Sequence, residues 1–401
     1  MTSVAARLPG LRAVTRPFEL PEDLLDARAP TGFAWLHDGH GLVTSGAAAV
    51  VEADAADATL QTLEVDDPLG WPGTGPIAVG ALGFDATSPA RLVIPTTVIG
   101  RTADGAGWIT HVGDPGARLH VPDEPRRRPS RVAATPRTDR REWRRWVEEV
   151  LALIRRRQLE KVVLAREVLV SSDEPLSATT LLHRLRGEQP GCFVHYANGL
   201  IGASPELLVR RVGSVVESRP MAGTARVGTE ALGALQRSPK DGLEHRLVVE
   251  NVATTLGKVC ESLDVEDGPR TYAFSSVGHL TTPMRGILSE PARSALALAR
   301  RLHPTPAVAG HPVDDALRVI ARLEPRGRGR YAGPVGWVDS RGDGEWALAL
   351  RGAQLDRTHA LLHAGAGIVT GSDPDAEWAE TEAKLEPMLT ALGVAAEPGS
   401  P

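Results

Sequence analysis

Apolar positions in the first quarter of the chain fall in short runs, Gly32–Leu36, Ala47–Val51, Ile77–Ala81 and Leu92–Val98, broken by Gly, Pro and Asp. That pattern predicts strands and turns over residues 1–110. The period then changes. Trp143, Trp146, Val147, Val150, Leu151 and Ile154 recur at three- and four-residue steps, which is one face of a helix. Asp139 with Glu142 resembles a capping box, and Arg155–Arg157 fall in the last turn, where positive charge suits the dipole. A strand is predicted at Lys161–Leu169, then two more at Cys192–Tyr196 and Leu207–Val212, divided by Gly199–Pro205. Long helices are expected over Gly242–Leu263 and Ser289–Leu302. Tyr331–Val338 and Glu345–Leu350 read as a hairpin around Asp339–Gly344, with a further strand at Ala360–His363. Gly365, Ala366 and Gly367 then read as a turn leading through Gly371, Ser372, Asp373 and Pro374 into a last helix. Strands in twos and threes between long helices predict an α+β fold with antiparallel sheets, not a βαβ wheel.

A chain of 401 residues exceeds the roughly 250–300 at which single cores stop growing. Two domains or one two-lobed body are expected: a strand-rich lobe over 1–112, a Pro- and Arg-rich connector over 113–137, a catalytic region over 138–395 and a tail over 396–401. Aromatic residues make up only 4%, so Leu, Val and Ala must build most of the core. Net charge of −5 argues against nucleic acid or anionic membranes as partners. The arginine clusters at Arg126–Arg128, Arg140–Arg145, Arg155–Arg157 and Arg326–Arg330 lack interleaved aromatics and are balanced by acids. Cys192 and Cys260 form no framework, and neither an apolar leader of about 7–15 residues nor an apolar run of about 18 occurs. A soluble, cytoplasmic protein is the expectation, and a monomer, since no segment demands a partner.

Four groups carry candidate chemistry. Glu377, Glu380 and Lys384 project from one helix face, beside glycines whose N–H groups could hold an anion. That face is either a metal-and-anion site or a solvated surface. Lys161 opens an apolar strand, where desolvation would make it a usable base; the plain alternative is a surface lysine. Glu206 enters a strand beside Leu207 and Leu208, where an apolar setting raises a carboxyl's pKa; the alternative is an exposed turn. Glu244 shares a helix face with Val248, Val252 and Leu256, so it needs a cation, whether a metal or a salt-bridge partner. Oxygen-only ligands favour Mg2+ over zinc. Arg351 at a strand end could grip a carboxylate bidentately.

Together these segments resemble the chorismate-utilising enzymes, most nearly the isochorismate synthases. The likeness runs over about residues 78–395 and rests on GALGFDATSPARLVIP, EKVVLAREVLV, GASPELLVRR, PMAGTARVG, KDGLEH, GHLTTPMRG, LHPTPAVAG, LEPRGRGRYAGPVGW, GEWALALRGA and AGAGIVTGSDPDAEWAETEAKL. The resemblance implies two packed antiparallel sheets flanked by helices, in two interlocked lobes, with the site in a deep cleft. It implies that Glu244 and Glu380 bind Mg2+, with Glu377 supporting them or binding through water. Lys161 would activate the water that attacks C2 of chorismate, and Glu206 would protonate the departing C4 hydroxyl. Gly223 and Thr224 would line the ring-carboxylate side. Arg351, Tyr331, Lys384 and the N–H groups near Gly365 and Gly367 would bind the enolpyruvyl carboxylate, and His279 would border the cleft. No organic cofactor is implied.

Three positions discriminate within the family. Ammonia-using members carry glutamine where Lys161 stands, and aminodeoxychorismate synthases carry lysine at Ala222. Salicylate synthases, which go on to expel pyruvate, carry threonine at Ala307. The chain thus resembles a synthase that stops at isochorismate, the precursor of menaquinone, catecholate siderophores and salicylate. A salicylate synthase and a catalytically inactive chorismate-binding protein are the rival readings. Asp241 departs from relatives with glutamate there, which leaves open whether it contacts the metal.

Overall fold

The computed structural model describes residues 10–113, 129, 131–275 and 277–394. Two large sheets and one small one organise them. The thirteen-stranded sheet begins with Val132–Pro136, Lys161–Ser172, His359–Ile368, Gly352–Asp356, Leu200–Ser204 and Phe193–Ala197. It continues without a break into the N-terminal strands Ala34–His37, His40–Ser45, Thr97–Arg101, Gly107–Val112, Arg12–Pro17 and Glu64–Asp66. The nine-stranded sheet likewise joins Leu207–Val212, Gly344–Leu348 and Pro334–Asp339 to Ile77–Ala81, Arg91–Ile94 and Ala49–Glu52. N-terminal and catalytic segments are therefore continuous in hydrogen bonding through both sheets. Arg12–Pro17 pairs in parallel with Glu64–Asp66; the other described pairings are antiparallel. The expected α+β architecture stands, with a third sheet added: Met221–Arg226, Val277–Thr281 and Arg270–Ala273.

The large sheets face each other over a core in which Trp35 and Phe193 of one meet Ile77, Val335 and Trp337 of the other. The helix Arg140–Arg155 forms as the spacing predicts. The Asp139 carboxylate accepts from the Glu142 N–H at 2.7 Å, a cap that contributes about 1 kcal/mol. Trp143, Trp146, Val147, Val150 and Ile154 are buried along one face. The Trp143 ring meets Trp378 edge-on at 6.3 Å, and its N–H donates to Pro374 O, which docks the C-terminal helix Pro374–Leu392.

Several boundaries differ from expectation, each for a physical reason. Leu92–Val98 is two strands, because Pro95 cannot donate and the chain there leaves one large sheet for the other. The presumed divider Gly199–Pro205 contains the strand Leu200–Ser204, after a tight turn in which Asn198 and Gly199 both take positive φ. The long helix spans Pro239–Gly257, with Ser238 as its cap and Pro239 in its first turn; Cys260–Val265 beyond it is an edge strand. The next helix starts only at Ala295, after Pro291 and the Ser294 cap. Tyr331 lies in a turn, and its strand begins at Pro334. Val132–Pro136 of the connector pairs with the Lys161 strand, whereas 114–128, 130 and the tail from 395 lie outside the described residues.

The arginines of RGRGR turn inward. Arg326 pairs with Glu167 at 2.7 Å, Arg328 with Glu324 at 2.7 Å, and Arg330 donates to Ala197 O and Asn198 O. Arg126–Arg128 lie outside the described residues. No described helix is long and apolar enough to cross a membrane.

Candidate active site

The largest correction concerns the glycines. Gly365 and Gly367 do not turn; they lie inside the strand His359–Ile368, paired with Ala165 and Val163 of Lys161–Ser172. Alternate residues of a strand share a face, so His363, Gly365 and Gly367 present one surface, and Lys161 and Val163 join it from the neighbouring strand. Side chains are missing from that surface for a reason. A Cβ at Gly367 would stand 2.0 Å from Glu244 Oε1 and 3.0 Å from Lys161 Cε. At Gly365 it would crowd Leu164 O and the Tyr331 hydroxyl.

A cleft stands over this surface. Glu206, Gly223, Thr224, Glu244 and His279 line it, as do Ala307, Tyr331, Arg351, Gly365, Gly367 and Lys384. Two of the walls are places where the chain changes sheet. Ser204–Pro205–Glu206 carries it from the thirteen-stranded sheet into the nine-stranded one, and Leu350–Arg351 carries it back. The crossings are tied together: Leu348 N–H donates to Glu206 O at 3.2 Å, and Ala203 N–H to Arg351 O at 3.3 Å. Arg351 sits at φ +50°, an uncommon backbone conformation for a residue with a Cβ. The third wall is the small sheet, where Gly223, at φ +71°, is the bulge between Ala222 and Thr224.

Glu206 is 4% exposed. Burial pushes its carboxyl up to about 8, against the lowering effect of the Met221 N–H and of the Lys161 and Lys384 charges. It is therefore protonated at neutral pH, not turn-exposed. Lys161 is fully buried, its Nζ 3.0 Å from Glu244 Oε1. Neither the surface lysine nor the open strand mouth describes it.

Among the described residues Arg351 has no acid partner. Its Nη2 donates to His279 Nε2 at 2.9 Å, while Nη1 is buried with no partner. A guanidinium so placed has the chemistry to receive an anion. His279 Nδ1 lies 2.9 Å from Gly223 O, so Nδ1 carries the proton and Nε2 accepts.

On the C-terminal helix face Glu377 is buried while Glu380 and Lys384 are half-buried, and the charges are latched in pairs. Glu380 meets Lys384 at 2.5 Å, and Lys384 also donates to Gly365 O. Glu377, 1% exposed, meets Lys240 at 2.5 Å. Burial and then the Glu380 charge push Glu377 up to about 6. Asp241 is also raised, by burial and then by Glu244 and Glu380. Four carboxylates thus act on one another, though no three His, Cys, Asp or Glu side chains converge as a ligand cluster among the described residues. Lysines hold three of the acids apart.

Sequence reasoning missed Arg328 and His363, which also line the cleft. His363 stacks on Tyr331 at 5.0 Å. Arg328 is buried against Glu324, an i,i+4 pair visible in LEPRGRGR but weighed there only as part of an arginine cluster.

Comparison with known proteins places the chain among known sequences and folds. A family model described as chorismate binding enzyme matches residues 117–393. Isochorismate synthase MenF of Bacillus subtilis is 34% identical over 358 residues, covering 80% of this chain and 75% of that protein. Isochorismate synthase EntC of Escherichia coli is 36% identical over 330 residues, covering 80% and 82%. Among solved structures, the menaquinone-specific isochorismate synthase MenF from Escherichia coli superposes with a TM-score of 0.81 at 26% identity, over 98% of this chain and 96% of that one.

Proposed function

The chain belongs to the chorismate-binding enzymes, and from that membership we propose that it is an isochorismate synthase, moving the ring hydroxyl of chorismate from C4 to C2. The observation that carries the reading is Glu206: a carboxyl in the cleft wall that keeps its proton at neutral pH. It donates that proton to the departing C4 hydroxyl, so that water leaves instead of hydroxide. Lys161 takes the proton of the water that attacks C2, and the displacement needs no redox partner. Arg351, with its unpaired Nη1, receives the enolpyruvyl carboxylate. Tyr331, Lys384 and the edge of Gly365 and Gly367 close that end; Gly223 and Thr224 flank the ring carboxylate.

Glu244 and Glu380 would hold Mg2+, with Glu377 supporting them or reaching the ion through water. An all-oxygen donor set in which burial and the Glu380 charge raise Glu377 fits a hard divalent cation. When bound, such an ion draws charge from the conjugated ring carboxylate. Lys161, Lys240 and Lys384 balance the same acids in its place.

Purified protein given chorismate and Mg2+ without ammonia is expected to release isochorismate. Lys161→Ala and Glu206→Gln are each expected to lose at least about 100-fold in kcat. Wild-type turnover by Lys161→Ala would remove the base assignment. Pyruvate as the main product would point to a salicylate synthase, against the alanine at position 307.

A further inference from the structure

Next to the active cleft lies a second cavity of about 440 Å³, and Arg328, Tyr331 and His363 form a wall common to both. Its chemistry is not that of the cleft. Leu200, Ile201, Ala349, Ala353 and Leu361 give it apolar sides.

His195 borders it, fully buried, with no partner for Nε2. The other ring nitrogen, Nδ1, lies 3.1 Å from Phe193 O. A carbonyl only accepts, so Nδ1 carries the proton and Nε2 offers a bare lone pair. Burial holds the ring's pKa down to about 4, so it stays neutral in ordinary buffer. The cavity therefore holds a buried acceptor in want of a donor.

Arg137, Arg326 and Arg330 border the same space. Arg326 is neutralised by Glu167. Arg330 contacts only uncharged groups: Ala197 O at 2.8 Å, Asn198 O at 2.7 Å and Gln354 Oε1 at 2.5 Å. Arg137 makes no side-chain ion pair among the described residues. Among the described residues two positive charges are left without acids beside an apolar chamber bordered by a buried hydrogen-bond acceptor.

We propose that this cavity is a second binding site, for a planar hydroxylated carboxylate. The hydroxyl donates to His195 Nε2, the ring lies between the apolar walls, and the carboxylate meets Arg137 and Arg330.

The probes are 4-hydroxybenzoate and benzoate, titrated calorimetrically into the full chain carrying Arg351→Ala, which removes the anion receptor of the active cleft. One site is expected, with 4-hydroxybenzoate bound about 5–10-fold more tightly, the effect of one neutral hydrogen bond. That difference is expected to vanish in the further variant His195→Leu. Should that variant not fold, the imidazole 15N spectrum of the wild-type chain gives the same answer. The His195 Nε2 signal moves to a hydrogen-bonded position with 4-hydroxybenzoate and stays put with benzoate. Equal affinities, no binding up to about 10 mM, binding lost with Arg351→Ala alone, or an unmoved Nε2 signal would each overturn the proposal and leave a cavity filled by water.

Discussion

His279 is fixed from both sides in one uncharged tautomer. Nδ1–H donates to Gly223 O, and Nε2 accepts from Arg351 Nη2. Burial, then the Arg351 and Lys384 charges, hold its pKa well below 6.5. Such a ring positions the guanidinium and moves no proton. His279→Leu is accordingly predicted to raise KM for chorismate about tenfold, with a smaller loss in kcat and an unchanged pH profile, and Gln is predicted to restore part of it. A lost limb in the kcat–pH profile would make His279 a proton-transfer group instead. Glu206 behaves oppositely, because it works protonated: turnover is predicted to decline as pH rises through about 8. The same shift reaches stability. The folded carboxyl holds its proton from 4.5 to about 8 while the unfolded one releases it, so stability present below 4.5 is lost as pH rises through that window. Glu206→Gln should therefore melt above wild type at pH 8.5 and match it near pH 5. Equal melting at both pH values would mean that the carboxyl is not shifted.

The strand His359–Ile368 shows at the level of an element what sequence conceals. Buried over nearly all its length and built from Ala and Gly beyond His363, it has no alternation to reveal it, and its glycines imitate a turn. The glycines serve packing instead. Gly367→Ala would drive a methyl into Glu244, and overpacking of this kind costs about 1–3 kcal/mol. The prediction is a loss of that size with loss of isochorismate formation. If the clash is with Glu244, the double variant with Glu244→Ala loses less stability in urea unfolding than the two single losses added; strict additivity would place the strain elsewhere. The helix Arg140–Arg155, in contrast, was legible almost to the residue, because its Trp and Val stripe meets one surface and its cap is local. Glu206 and Lys161 were legible as types in context. Their burial was not, since Lys161 meets its acid on a distant helix and Glu206 lies where two sheets exchange the chain. The Lys240–Glu377 and Lys384–Glu380 latches divide in the same way. The second is an i,i+4 pair on one helix, whereas the first joins two helices and leaves no local trace.

At the scale of the molecule the buried titratable groups set the pH range in which the fold holds. Burial keeps His195, His245 and His303 down at about 4 and His279 well below 6.5. The unfolded chain protonates all four as pH falls below 6.5 and the folded one does not, so stability present above 6.5 is lost on acidification toward 4. Each such proton is worth about 1.4 kcal/mol per pH unit within its window. Glu206 and Glu377, pushed up to about 8 and about 6, act in the opposite sense. Between 4.5 and 6 the four histidines outweigh Glu206 and Glu377, and above 6.5, where the histidines no longer titrate, Glu206 sets the slope. Urea unfolding is thus predicted to give maximal stability near pH 6.5, with a steep acid limb and a shallow alkaline one. Glu206→Gln should flatten the alkaline limb and leave the acid one in place. A maximum at pH 5 or below would mean that the histidines are not buried as described, and with them would go the neutral rings that hold Arg351 in the cleft and that border the second cavity.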